Sequence, residues 1–278
     1  MSLEITTLIE NTLGEHTGLA TEHGLSFLIE TGNDSVLFDT GRSDAFLKNA
    51  KLLRKQMDDV THVVLSHGHY DHSGGFQSFV QARKDRAFTL HTGDGFFQEK
   101  WAQFNASYQY LGNDFGENYI HEMGIAHHTI TGKTEIAKGV WALTHFKRIH
   151  AEETIHPRFV LRDGQGWIPD RFEDEVLLVV ETKKGLVMLV GCSHPGILNM
   201  LAAVEQAFSM PVYALLGGTH LVEADSARTA QSIQVFQEKG IKVLGINHCS
   251  GAEAISLATA HSSIHFHNGT GSSLILEG

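Results

Sequence analysis

Val63-Val64-Leu65-Ser66-His67-Gly68-His69-Tyr70-Asp71-His72-Ser73-Gly74-Gly75 is the stretch on which the reading of this chain turns. An apolar strand runs directly into four potential metal ligands, His67, His69, Asp71 and His72. In extended backbone, residues two apart point to the same side, so His67 and His69 can grip one ion. The chain then turns near Asp71 toward a helix, which aims Asp71 and His72 at a neighbouring point. Imidazole and carboxylate donors suit zinc, iron or manganese. Gly68 lets the backbone pass close to an ion, and the Gly74-Gly75 pair permits a tight entry to the following helix.

The same design recurs along the chain. Val36-Leu37-Phe38 ends at Asp39. Leu186–Val190 leads through Gly191-Cys192-Ser193 to His194, and Val212–Leu216 leads through Gly217-Gly218-Thr219 to His220. Lys242–Ile246 leads through Asn247 to His248. Ligand sites in open sheets gather outside the carboxyl ends of strands. Five such ends, each carrying Asp or His, can therefore converge on one place.

Around these ends, short β-branched runs alternate with helical patterns. Strands are expected at 3–9, 25–30, 35–38, 62–65, 87–91, 139–144, 158–161, 176–181, 186–190, 212–216, 242–246, 263–266 and 272–276. Helical spacing appears at 44–56, 195–208, 226–239 and 252–260. Strands dominate the start and strand–helix alternation the second half. The pattern predicts an α+β domain in which two packed sheets carry helices on their outer faces, the whole of 1–278 forming one unit. From about 93 to 174 the periodicity weakens and aromatics accumulate, among them Phe96, Trp101, Phe104, Tyr108 and Tyr110. That stretch reads as a lid-like insertion or as a peripheral helical hairpin with its own small core.

Composition narrows the classes of function. With 21 Lys+Arg against 32 Asp+Glu, the chain of 278 residues carries a formal charge of −11, which argues against a nucleic-acid partner. The apolar runs are too short to cross a bilayer. The first twenty residues lack a basic start and a long apolar run, so a cytoplasmic protein is expected. Two cysteines cannot form a disulfide framework. The 19 histidines nearly equal Lys and Arg together, and histidine is the commonest metal ligand.

His-x-His-x-Asp-His after an apolar strand, with Phe38-Asp39-Thr40-Gly41 upstream, resembles the metallo-β-lactamase-fold superfamily over nearly the whole chain. Glu22-His23-Gly24-Leu25-Ser26, Gly191-Cys192-Ser193-His194-Pro195-Gly196-Ile197, Gly217-Gly218-Thr219-His220-Leu221 and His248-Cys249-Ser250-Gly251 resemble one branch of it. That branch takes its name from the archaeal dihydropterin–ribofuranosylaminobenzene phosphate synthase. The resemblance implies a four-layered αββα sandwich with two divalent ions at one edge of the sheets, zinc foremost, with iron or manganese as alternatives. Carried over by position, His67, His69 and His194 hold the first ion, and Asp71, His72 and His248 the second. Asp39 would order a ligand imidazole without touching metal. One departure stands out: Gly191-Cys192 occupies the place where most superfamily members have Gly and a bridging Asp. Cys192, a water, or Asp174 or Glu175 would then serve as the bridge, with His145 and His156 as further candidates for a ligand.

The expected function is that of a metal-dependent hydrolase acting on a small substrate, neutral or anionic, through a metal-activated water. Ester, lactone, thioester, amide and phosphoester bonds all fit. Asp71 would orient the water and His220 would serve the leaving group. His23 and Arg158 would contact substrate. Two other readings accompany it: a pterin-phosphate-type synthase or transferase, and a non-catalytic ligand sensor on the same fold, the latter motivated by Cys192.

Overall fold

The computed structural model describes residues 3–32, 34–83, 87–261 and 263–277. The first sheet has seven strands in the order Ser273–Leu276, Leu3–Ile9, Ser26–Glu30, Ser35–Phe38, His62–Val64, Thr89–Thr92 and Ala126–Thr129. It is antiparallel as far as Ser35–Phe38 and parallel beyond. The second sheet has six strands in the order Val243–Asn247, Val212–Gly218, Gly185–Val190, Leu177–Thr182, Val140–Leu143 and Lys133–Ala137. Its first three strands are parallel, joined through the helices Ile197–Ala207 and Ser226–Glu238.

Three apolar clusters define the layers. Phe27, Phe38 and Val64 of the first sheet meet Leu178, Val187 and Leu189 of the second in the space between the sheets. Leu28, Leu37 and Val63 face the other way, onto Phe46 and Phe79 of the helices Ala45–Leu52 and Phe76–Ala82. Met188, Val190 and Leu215 face Leu201, Phe236 and Ala258 of the helices Ile197–Ala207, Ser226–Glu238 and Gly251–Ala260. Alternate residues of one strand thus feed two different cores, the consequence of period-two side-chain placement in a sheet covered on both faces. The result is two packed sheets with helices outside, as the sequence pattern predicts, and the four-layered αββα sandwich that the resemblance implies. Among the described residues no helix is long and apolar enough to cross a membrane.

The stretch from 93 to 174 is divided among three sheets. Ala126–Thr129, Lys133–Ala137 and Val140–Leu143 extend the two main sheets. Lys100–Phe104, Ser107–Tyr110, Phe159–Asp163 and Gly166–Pro169 form a separate four-stranded antiparallel sheet. Pairing Trp101 with Tyr110 and Val160, and Arg162 with Trp167, places these residues on one face. Tyr108 stacks on Trp167 there, ring centroids 4.0 Å apart. The opposite face carries Lys100 and Phe159 toward the ends of the main strands. A four-stranded sheet thus stands within this stretch, where a helical hairpin was one of the two expectations.

Smaller differences have local causes. The helix expected at 44–56 stops at Leu52, and Arg54 takes a positive φ of 59°. The strand expected at 263–266 reduces to a single bridge between Leu244 and His265.

Candidate metal centre

Four of the five strand ends singled out in the sequence lead to residues lining one pocket, and the fifth, ending at Asp39, stands behind it against His72. Four of the residues that leave them have left-handed backbone without being glycine: Asp39 (φ 61°), Ser193 (φ 64°), His220 (φ 49°) and His248 (φ 53°). Each such residue costs on the order of 1–3 kcal/mol and persists only where the surroundings hold it, a pattern concentrated at functional sites. Close approach of the strands adds to this. A Cβ on Gly218 would lie 2.5 Å from the Gly191 carbonyl oxygen and 2.6 Å from Cys249 Sγ.

His67 Nε2 and His69 Nδ1 lie 3.0 Å apart, close to the roughly 3.3 Å between two nitrogens on one tetrahedral ion with bonds of about 2.0–2.1 Å. His67, Cys192 and His194 form a group whose donor atoms all fall within 4.8 Å of one another, and His72, Cys192 and His248 form another. His23, Asp71 and His248 make a third. Cys192 belongs to the first two, with its Sγ 3.2 Å from His72 Nε2. Asp71 Oδ2 is 3.3 Å from His248 Nε2, 3.8 Å from His72 Nε2 and 3.2 Å from His23 Nε2.

The outward ring nitrogens are tied down while an inward one is bare. His72 Nδ1 donates to Asp39 Oδ2 at 2.6 Å, and Asp39 in turn accepts from Ser66 N and Ser66 Oγ. His248 Nδ1 donates to Asn11 Oδ1 at 3.1 Å. Ser66 Oγ lies 3.0 Å from His67 Nδ1. By contrast, His194 Nε2 is buried and makes no hydrogen bond, and His248 Nε2 meets the Asp71 carboxylate at 3.3 Å. Buried imidazole nitrogens without partners cost stability unless something binds them. The donor set, two imidazole-rich groups with a shared thiol and a carboxylate, fits divalent metal.

Electrostatics prepares the ligands. Burial holds His67, His69 and His194 well below the usual histidine range, and His248 is lowered for the same reason. Burial and the nearby Arg158 bring His220 down to about 3. Metal binding requires neutral imidazoles, so these groups are ready at neutral pH. At His72 burial works against the charged form, but Asp39 and Asp71 outweigh it and lift the ring to about 9. Burial likewise opposes ionisation of Asp71, yet His72, His23 and His248 hold its carboxyl well below the usual range. Burial pushes the Cys192 thiol well up; a coordinated thiol is nonetheless deprotonated outright.

These shifts set the acid stability of the metal-free protein. Below about pH 6.5 the unfolded chain takes up protons on His67, His69, His194, His220 and His248, while the native state stays neutral at each. Their contribution is present above 6.5 and lost as the pH falls. Glu175, raised by burial to about 8, opposes the trend with a single proton. Thermal melts of chelator-treated protein should therefore shift down between pH 6.5 and about 5. An unchanged midpoint would mean that the native imidazoles are charged.

The four-stranded sheet closes over the centre. Phe159 faces His69, His194 and His220 at ring-centroid distances of 5.8, 5.2 and 5.8 Å. Phe172 stacks on His194 at 3.7 Å and 11°. Behind them lies a buried ion triad that the sequence reading did not anticipate. Lys100 Nζ bonds Asp170 at 2.8 Å and Asp174 at 2.9 Å, and Asp174 also accepts from Gly68 N at 2.8 Å, between the two histidines. Removing one partner from such a group leaves buried charge uncompensated, so Lys100→Met should cost roughly 3–5 kcal/mol in denaturant unfolding. A cost below 1 kcal/mol would contradict the bracing role.

The pocket has a volume of about 360 Å³ and is bordered by His23, His69, Asp71, Cys192, His194, His220, His248 and Arg158, with Tyr70, Leu111 and Phe159 supplying apolar wall. It brings together residues that the sequence names from several separate segments. His145 and His156 belong to none of the ligand groups among the described residues. Of the alternatives to Cys192 as a bridge, Asp174 is engaged by Lys100 and Gly68. Glu175 accepts from Ser193 N and lies 4.0 Å from the far nitrogen, Nδ1, of His67. A wider groove of about 650 Å³ lined by residues 92–98 and 116–118 gathers no ligand group among the described residues.

Fold and site together define a metallo-β-lactamase-type protein, and the family model described as the metallo-beta-lactamase superfamily matches residues 20–182. The chain belongs to that superfamily. It is 30% identical over 269 residues to the 7,8-dihydropterin-6-methyl-4-(beta-D-ribofuranosyl)-aminobenzene-5'-phosphate synthase of Methanocaldococcus jannaschii, covering 91% of this chain and 89% of that one. Among solved structures it is similar to Tm1679, described as a metal-dependent hydrolase of the beta-lactamase superfamily. The TM-score is 0.86 at 28% identity, over 99% of this chain and 100% of that one. It shares the fold of Zn(2+)-bound PqqB from Methylobacterium extorquens, with a TM-score of 0.57 at 14% identity over 99% and 100% of the two chains.

Proposed function

We propose that the protein is a hydrolase that uses two divalent ions, zinc foremost. His67, His69 and His194 would hold one, Asp71, His72 and His248 the other, with Cys192 between them. The observation that carries this reading is the pair of ligand groups sharing Cys192 at the floor of an open pocket. When bound, such ions polarise the scissile bond and lower the pKa of a water from 15.7 to roughly 7.

The chain's own residues supply the rest. Asp71 stays ionised and accepts a hydrogen bond from the attacking water, fixing its direction. His220 is neutral, so it donates an N–H to the leaving oxygen rather than delivering a stored proton. Phe159, Leu111 and Tyr70 pack against substrate and exclude bulk water. His23, half exposed at the rim, shields the Asp71 carboxylate from solvent. Asp39 and Asn11 keep the His72 and His248 rings from rotating.

The relative named as a phosphate synthase supports a second reading, in which the site binds a phosphorylated or pyrophosphorylated pterin-like molecule and displaces that group. Turnover assays on the metal-replete protein separate the two. Hydrolysis of esters, lactones or phosphodiesters with no displacement from pterin phosphates supports the hydrolase; the reverse supports the synthase. Tight ligand binding with no turnover in either series would favour a sensor and contradict both.

A further inference from the structure

A small polar recess opens beside the ligand cluster, with a volume of about 110 Å³. It shares Phe159, His194 and His220 with the larger pocket, and its own wall includes Thr154, His156 and Arg228. Pockets for whole small molecules run to roughly 300–1,000 Å³, so this volume suits one substituent.

Its arginines each have a carboxylate nearby. Arg158 Nη2 bonds Glu223 Oε1 at 2.5 Å, and the other oxygen of Glu223 lies 3.5 Å from His220 Nδ1. Arg228, in the first turn of the helix Ser226–Glu238, reaches the Thr154 carbonyl with one Nη at 3.5 Å. The Nε atoms of both arginines are buried and make no hydrogen bond. Arg158 is paired with Glu223, and Arg228 lies in the field of Glu153, a carboxylate already occupied by the Leu198 and Asn199 backbone N–H groups. Guanidinium presents a planar fork of donors that matches the two oxygens of a phosphate or carboxylate. Arg158 is also pinned over the Phe159 ring at 4.6 Å, so its fork is fixed in advance.

We propose that this recess is an oxyanion subsite, in which Arg228 in its wall and Arg158, reached through Glu223 at its border with the larger pocket, hold a phosphate or carboxylate carried by the substrate next to the bond being cleaved. Glu223 occupies Arg158 in the absence of that group and yields to it. As a statement about substrate this rests on the hydrolase reading; as a statement about anion binding it does not.

The test is calorimetric titration of the full-length, metal-replete protein with inorganic phosphate and, separately, acetate. Wild type, Arg158→Gln, Arg228→Gln and Glu223→Gln are compared at equal metal content, so that anion held by the ions alone contributes equally to all four. Either arginine variant should bind at least tenfold more weakly. Glu223→Gln should bind several-fold more tightly, a gain that misfolding cannot produce. The anion with the larger differences names the group that the substrate carries. Equal affinities in all four proteins, or weaker binding by Glu223→Gln, would overturn the subsite. Failure of the hydrolase reading would appear instead as absent turnover with the affinity differences intact.

Discussion

Asp71→Ala is expected to lower turnover by at least about a thousandfold while leaving the circular dichroism spectrum and thermal midpoint near those of wild type. Asp71 is assigned both a place on the second ion and the orientation of the water, and removing one member of such a unit typically costs about 10³-fold or more. The carboxylate sits among His23, His72 and His248 and is held ionised by them. It supports no strand or core cluster, and the structural bond at this position comes from its backbone oxygen, which accepts from Leu25 N. The variant should therefore fold. Asp71→Asn keeps the shape and loses the charge, and should be nearly as impaired. Turnover within tenfold of wild type in either variant would contradict the assigned role.

Cys192→Ser is expected to have the largest effect on metal itself. Among the described residues Cys192 alone belongs to both of these histidine groups, so replacing its sulfur should weaken both ions at once. Thiolate is a far better ligand than a serine hydroxyl for zinc or cobalt. Affinity for the weaker ion should fall at least on the order of 100-fold, and stoichiometry at stoichiometric metal should drop toward one. In the cobalt-substituted protein the sulfur-to-metal charge-transfer absorption should vanish. Cys192→Asp, which restores the residue most superfamily members carry there, should bind two ions again without that absorption. A cobalt spectrum identical in wild type and Cys192→Ser would show that the thiol stays outside the centre.

The parts of the fold legible in the sequence are those where local pattern and burial agree. Val63-Val64-Leu65 and Leu186–Val190 are buried on both faces and read as unbroken apolar runs, so the ligands that follow them could be placed at strand ends. The four-stranded sheet was not legible because it breaks both rules. Ser107–Tyr110 is exposed along its whole length, and Lys100, a charged residue, is almost completely buried. Its strands are paired across a long excursion, Trp101 with Val160, which no local periodicity records. Arg228 was hidden for a related reason. At a helix start it reads as part of a solvated face, and only the packing of that helix against residues 154–159 brings it to the recess. The left-handed residues after the strands were equally hard to see, since Asp and His are only modestly favoured at positive φ and Ser is not.

The central claim is a two-ion centre built on a shared cysteine, and metal content per chain tests it most directly. Elemental analysis of protein purified without chelators or added metal should find close to two equivalents of zinc, iron or manganese per chain. One equivalent or less, unchanged after reconstitution with excess metal, would contradict the account.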